Sequence, residues 1–270
     1  MFVELRPGTT PEEAWQILNS LSMGAQNVLA GIGPDQNRAR YLDWVEQAEG
    51  QLRNVFADPR VWEGLYSDIH WQIRRMGNEE PRPLPLMKLE LGRQEERFER
   101  LQVGMHEIRN WVGRSSSQCV VIDTNVLLHY VPPDQIDWSE VVGSDEDVRL
   151  IVPLRVVNEL DDKKYARDNK ISKRARSVLS QVGNALLASD SAPAEITDGV
   201  SLEVAPISEP RERPLDADSE ILACCLTLAP YAPGLLLATG DTAMRIRAQQ
   251  LGIDTKTLPD TYLRSNPTSS

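Results

Sequence analysis

The spacing of apolar residues predicts helices throughout the first half of the chain. Thr10, Pro11 and Glu13 provide an N-cap, a first-turn proline and a capping-box acid, so a helix is predicted to begin there. Asp58 and Pro59 repeat this start signal. Four apolar residues follow it in one stripe at helical spacing: Trp62, Leu65, Ile69 and Ile73.

A third helix is predicted after the proline-rich segment 81–85. Its apolar residues recur at three- and four-residue spacing, interrupted by Gln94: Leu91, Phe98, Leu101, Met105, Ile108 and Val112. Such a stripe fits either the inner face of a helical bundle or the seam of a coiled-coil dimer. We therefore expect residues 1–113 to form an all-α domain. Its role is left open, and a homodimer or a contact with a protein partner is one possibility.

The pattern changes after the short polar segment 114–118, which is the predicted linker. Continuous apolar runs at 119–122, 150–152 and 235–238 alternate with helical segments, as in a parallel sheet. The sequence thus predicts an α/β domain over residues 119–263, with a parallel sheet and helices on both faces. Residues 264–270 are predicted to be a disordered tail.

Composition narrows the class of protein. No stretch of about 18 apolar residues and no signal-peptide pattern occurs, so a cytoplasmic protein without membrane contact is expected. Cys119, Cys224 and Cys225 lie in apolar segments and are expected to be reduced core residues. The net charge of −11 argues against a protein that coats nucleic acid, but an enzyme that contacts few phosphates is compatible with it.

Four carboxylates occupy positions that suit chemistry. Asp123 and Asp241 follow the first and last predicted strands, Glu159 lies on the first turns of the helix after the second, and Asp218 lies where an amphipathic helix begins. Each acid alone has a structural explanation, such as a helix N-cap. However, ligand sites in open parallel sheets lie beyond the carboxyl ends of the strands. The ordered set therefore indicates a functional site.

These residues also resemble a known family, the PIN domain nucleases, and within it the branch found with PhoH-like ATPases. The matching phrases cover residues 121–128, 151–161 and 239–248, and the helix start 218–223 supplies the remaining family acid. The resemblance spans roughly residues 119 to 263, and nothing in residues 1–113 contributes to it. It implies a metal-dependent nuclease, most simply a ribonuclease acting on single-stranded RNA, with DNA a less favoured substrate.

The resemblance implies that Asp123 and Asp241 are the central catalytic metal ligands and that Glu159 and Asp218 complete the site. Asp216 is a possible fifth ligand. Carboxylates suit Mg²⁺ or Mn²⁺, which activate water for phosphodiester hydrolysis. In the family this reaction leaves 5′-phosphate and 3′-hydroxyl ends. Two further residues are predicted to orient the ligands by hydrogen bonds: Asn125 and Thr239.

A local basic excess follows Glu159 in this acidic chain. It fits either a solvated helix face or a surface that holds a nucleic-acid backbone entering the site. We predict nucleic-acid binding for its seven cations: Lys163, Lys164, Arg167, Lys170, Lys173, Arg174 and Arg176.

Three other functions compete with a ribonuclease. A PIN protein that has lost catalysis would bind RNA or act as a scaffold, but all four acid positions are filled here. A toxin of a toxin–antitoxin pair is usually little more than the domain itself, unlike this chain. A structure-specific DNA nuclease is disfavoured because no helix-hairpin-helix phrase occurs.

Overall fold

The computed structural model describes residues 4–76, 83–187, 193–206 and 216–264. Its backbone contacts divide the chain into two compact units, Met1–Asn110 and Trp111–Ser270, and each is described by itself. Residues 265–270, which form most of the predicted tail, lie outside the described residues. In the described part of the chain, no helix is both long enough and apolar enough to span a bilayer.

The first unit is helical, as the sequence predicts. Its described helices are α1 (Pro11–Val28), α2 (Pro34–Val55), α3 (Arg60–Glu63), α4 (Asp68–Arg75) and α5 (Pro83–Val112), the last of which ends two residues beyond the unit. The predicted capping box begins α1, because the Thr10 hydroxyl accepts from the backbone N–H of Glu13 while the Glu13 carboxylate accepts from the N–H of Thr10.

Two features of this unit differ from the sequence prediction. Helix α2 was missed, because it is only weakly amphipathic. The stripe predicted as one helix is divided between α3 and α4, and Leu65 lies in the turn between them. All four stripe residues are nevertheless buried, since the turn keeps their side chains on the inner side.

The stripe of α5 is buried by this single chain, as expected of a helical bundle. Leu91, Phe98, Leu101, Met105 and Ile108 are each at most 5% exposed. The polar interruption Gln94 is buried too, and its amide donates to the carbonyl of Gly64 at 3.0 Å and to Glu90 at 2.8 Å. The stripe therefore needs no second copy to cover it.

The second unit is α/β, with one mostly parallel sheet. Within the described residues it contains β1 (Gln118–Ile122), β2 (Val148–Val152), β3 (Ala194–Thr197), β4 (Val200–Val204), β5 (Leu236–Ala238) and β6 (Asp254–Lys256). The strand order is β3-β4-β2-β1-β5-β6, and only β3 runs antiparallel to its neighbour. The sequence predicted β1, β2 and β5 to within two residues and missed β3, β4 and β6, which have few buried positions.

Helices connect the parallel strands. They are α6 (Thr124–His129) and α7 (Trp138–Val142) after β1, α8 (Leu154–Lys163) and α9 (Asn169–Leu187) after β2, α10 (Ala217–Leu228) before β5, and α11 (Thr242–Gln250) before β6. From β1 the chain moves first toward β2 and β4, and later returns to β5 and β6 on the opposite side. Right-handed crossovers then assign the two groups of helices to opposite faces. The strand order reverses between β1 and β5, which makes their carboxyl ends the topological switch point.

Candidate functional site

Asp123 and Asp241 both lie at the switch point, beyond the ends of the paired strands β1 and β5. Asp123 follows β1, and its backbone N–H donates to the carbonyl of Ala238 at the end of β5 (3.1 Å). Both aspartates are N-caps: Asp123 begins α6, and the Asp241 carboxylate begins α11 by accepting from the N–H groups of Ala243 (2.7 Å) and Met244 (3.1 Å). The capping and the adjacency have the same cause, since each strand leads directly into a helix at this edge.

Thr239 joins the two aspartates. It is fully buried, and its hydroxyl donates to Oδ2 of Asp123 at 2.7 Å while it accepts from the backbone N–H of Asp241 at 3.0 Å. Asn125 contributes its backbone N–H, which donates to Oδ1 of Asp123 at 3.4 Å. Each carboxylate oxygen of Asp123 thus has one donor, and these bonds fix the orientation of a side chain that is only 3% exposed.

Glu159 approaches the same edge from α8. Its Oε2 accepts from the hydroxyl of Thr124, which is the first residue of α6 and is buried. Its Oε1 lies 3.9 Å from the guanidinium of Arg155, one turn earlier on α8, and Arg155 also lies 3.9 Å from Glu220 on α10. A hydrogen bond therefore ties Glu159 to the residue that follows Asp123.

Asp218 lies in the first turn of α10 and faces an arginine. Its Oδ2 is 3.5 Å from the guanidinium of Arg247 on α11, which also donates to the hydroxyl of Ser219 at 2.6 Å. Asp216 is the N-cap of α10: it accepts from the N–H of Ser219 at 2.7 Å and lies 3.4 Å from Arg247. The N-cap role, which the sequence assigned as a structural explanation for Asp218, belongs to Asp216.

The charges of the four acids interact. Burial raises the pKa of Asp123, and the negative charges of Asp218 and Glu159 raise it further, while the hydrogen bonds from Thr239 and Asn125 act in the opposite direction. Burial also raises the pKa of Asp218, with Asp241 the next cause, and the positive charge of Arg247 opposes this rise. The carboxylates are therefore close enough to repel one another.

The donor chemistry of this cluster suits a hard divalent cation. All of its potential ligands are carboxylate oxygens, the type that Mg²⁺ and Mn²⁺ prefer. A bound cation would offset the burial and the repulsion that raise the pKa values of Asp123 and Asp218. Among residues that the structure describes, however, no three Asp, Glu, His or Cys side chains are arranged to hold one ion. Glu159 and Asp218 each have an arginine within 4 Å instead.

The structure divides the basic run into residues with different contacts. Lys164 pairs with Asp161 at the end of α8, and Arg176 of α9 donates to the carbonyl of Lys164 at 3.1 Å, which joins the two helices. Arg174 donates to the carbonyl of Leu128 at 3.4 Å. Four cations of the run are exposed: Arg167, Lys170, Lys173 and Arg176.

Sequence reasoning missed several side chains of this site. Thr124 lies within the Asp-Thr-Asn phrase, so its position next to a predicted ligand was a usable signal. Arg155, Glu220 and Arg247 left no such signal, because only the packing of α8, α10 and α11 brings them to the acids.

Comparison with known proteins gives the following matches. The sequence model of a family described as PIN domain matches residues 120–259. A solved structure, a domain of a functionally unknown protein from Methanocaldococcus jannaschii DSM 2661, aligns with 57% of this chain and 100% of its own, at 17% identity and a TM-score of 0.36. A search of curated proteins returned no match.

Proposed function

Because the chain belongs to the PIN domain family, we propose that it is a divalent-metal-dependent nuclease that hydrolyses phosphodiester bonds of single-stranded RNA. PIN domains are generally nucleases. The observation that carries the proposal is that Asp123 and Asp241 both lie at the switch point and are joined through Thr239. The charges of Glu159 and Asp218 act on Asp123, and the charge of Asp241 acts on Asp218. If the four acids had only structural roles, nothing would require them to lie at one edge of a sheet, where they repel one another.

The chain's own residues have distinct roles in this proposal. Asp123 and Asp241 would be the central ligands of Mg²⁺ or Mn²⁺, and Glu159 and Asp218 would complete the set. A bound cation would lower the pKa of water and offset the charge that develops on the phosphodiester. Thr239 holds the Asp123 carboxylate in one orientation, and Thr124 does the same for Glu159.

Two arginines compete with a cation for the carboxylates of the site. Arg155 and Arg247 lie beside Glu159 and Asp218, and both ion pairs are long, at 3.9 Å and 3.5 Å. Both distances exceed that of an ordinary hydrogen bond, so a divalent ion can compete with the arginines for the carboxylates.

The basic run contributes to the proposed binding of RNA. Cations that follow Glu159 directly would hold the phosphate backbone close to the acids, and most of them are exposed or half-buried. RNA is preferred over DNA on the family resemblance, and the N-terminal helical unit is left without a role in catalysis.

The test is cleavage of a fluorescent single-stranded RNA with Mn²⁺ or Mg²⁺. Asp123→Asn should reduce the rate by at least about a hundredfold, since even residues that only orient ligands commonly contribute ten- to a hundredfold. Asp145→Asn, an exposed aspartate before β2, is the matched control and should leave the rate unchanged. Equal activity of Asp123→Asn and the wild type would overturn the proposal.

A second candidate is an RNA-binding PIN protein without catalysis. The arginine contacts of Glu159 and Asp218, and the lack of a three-ligand arrangement in the described residues, favour it. Calorimetry separates the two: the nuclease should bind Mn²⁺ in a manner lost in Asp123→Asn, whereas a non-catalytic protein should bind RNA but take up no Mn²⁺.

A further inference from the structure

Three cations meet at the far end of α6, away from its N-cap Asp123. Arg174 reaches this end from α9, and its guanidinium donates to the carbonyl of Leu128 at 3.4 Å. Arg264 reaches it from the end of the described chain, where its backbone N–H donates to the carbonyl of His129 at 3.0 Å. An antiparallel bridge between Tyr130 and Leu263 holds this last segment in place.

The third cation is Lys163, the last residue of α8. Burial lowers the pKa of His129, and the positive charges of Arg174 and Lys163 lower it further. The pKa of Arg264 is lowered by burial and then by Arg174. The contacts at Leu128 and His129 place Arg174 and Arg264 at the end of α6, and Lys163 at the end of α8 acts on the same histidine. These three half-buried cations are called the positive pocket.

The pocket is not neutralised within the described part of the chain. There, none of its three cations forms an ion pair with a carboxylate, in an otherwise acidic protein. The carbonyl of Leu128 takes only one of the five donors of the Arg174 guanidinium. Bringing like charges together costs free energy, and such a cluster of positive charges is typical of a site that binds an anion.

The position of the pocket relative to the acids suggests which anion it receives. Helix α6 has 6 residues and separates Asp123 from His129. Such a helix is about 9 Å long, which corresponds to a few nucleotides at most along a single strand. The negative charge of Asp123 still acts on His129 across this distance.

We propose that Lys163, Arg174 and Arg264 bind a backbone phosphate of the nucleic-acid substrate, a few nucleotides from the bond that the acids cleave. This rests on the proposed function and makes it more specific. Only two of the seven cations of the basic run belong to the pocket, and the third comes from the segment that the sequence assigned to a tail. The pocket would position the strand without reading its sequence.

Helix ends offer a competing explanation, because α6 and α8 both end near these cations and their last carbonyls favour positive charge. That explanation accounts for Arg174, which contacts such a carbonyl, but it predicts only an effect on stability. The two explanations therefore differ in how the protein binds nucleic acid.

The test measures binding of a short fluorescent single-stranded RNA by anisotropy, in chelator, over a series of salt concentrations. The double variant Arg174→Gln/Arg264→Gln should bind more weakly, and the slope of log affinity against log salt should fall by about 1. The loss should be the same for RNAs of different sequence. Arg40→Gln/Arg93→Gln, two exposed arginines of the helical unit, is the control with the same change in net charge and should keep the wild-type slope.

An unchanged slope in the pocket variant, or an equal loss in the control, would overturn the pocket. If circular dichroism and a thermal melt show that the double variant does not fold, the single variant Arg264→Gln is measured instead. An unchanged slope in that variant would also overturn the pocket. Because binding is measured without divalent ions, this result is separate from cleavage. If the wild type cleaves no RNA but the pocket variant still has a smaller slope than the wild type, the proposed nuclease activity is overturned and the pocket is supported.

Discussion

At the scale of single residues, Asp123 is held in a position that disfavours its charged form. It is 3% exposed, and burial together with two neighbouring carboxylates raises its pKa, despite hydrogen bonds from Thr239 and Asn125. Asp218 is affected in the same direction by burial and by Asp241. Sites that accept a cation typically carry such uncompensated charge, and the protein loses stability as a result.

The sign of this effect can be measured. A carboxyl group whose pKa is higher in the folded state binds more protons when folded, so the free energy of unfolding falls as pH rises. In metal-free buffer, Asp123→Asn should therefore be more stable than the wild type at about pH 7. The gap should shrink as pH falls through the raised pKa of Asp123 toward the ordinary aspartate value of 3.8. Urea unfolding across this range tests it.

The control for this measurement is Asp145→Asn, which replaces an exposed aspartate and should match the wild type at each pH. A wild type more stable than Asp123→Asn at about pH 7, without metal, would contradict the raised pKa of Asp123.

At the scale of elements, a buried ion pair between β2 and β4 attaches the end of α5 to the sheet. Arg149 is fully buried, pairs with Glu203, and donates to the carbonyls of Trp111 (2.8 Å) and Val112 (3.0 Å). Its guanidinium also lies 4.2 Å from the centre of the Trp111 ring. These residues all belong to the second unit.

Arg149→Met should destabilise the protein by about 3–5 kcal/mol, because it leaves Glu203 and two carbonyls without their main partner in a buried setting. The double variant Arg149→Met/Glu203→Leu should recover much of this loss, since no buried charge remains. Chemical denaturation measures both. If Arg149→Met is as stable as the wild type, the network of Arg149 contributes nothing to the stability of the protein.

At the scale of the whole molecule, the chain combines a helical unit with an α/β unit that carries all the candidate ligands. The net charge is −11, and the four acids account for part of it. A ligand that binds only the folded protein stabilises it by mass action, so the cation should be detectable without any substrate.

Mn²⁺ at a hundred times its dissociation constant should therefore stabilise the protein by about 2.7 kcal/mol, and chelator should reverse this. The gain should be lost in Asp123→Asn and in Asp241→Asn, which each remove a central ligand. Thermal melts with and without Mn²⁺ test it. The same increase in the wild type and both variants would mean that the ion binds elsewhere.

The sequence alone determined the classes of the two units and the position of the candidate site. Apolar periodicity and capping residues act locally, so α1, α5, β1 and the two acids that follow β1 and β5 could be predicted. The rule that parallel strands end at one edge then predicts that Asp123 and Asp241 lie at the same edge of the sheet.

Only the tertiary structure decided the contacts that depend on how helices pack. Strand β6 has no fully buried residue, so no local apolar pattern marks it. The pairing of Arg247 with Asp218, and the meeting of Arg174 with Arg264, join residues that are far apart in the chain. Local propensity carries no information about such pairs, because their energy comes from the closeness of charges that only the folded chain creates.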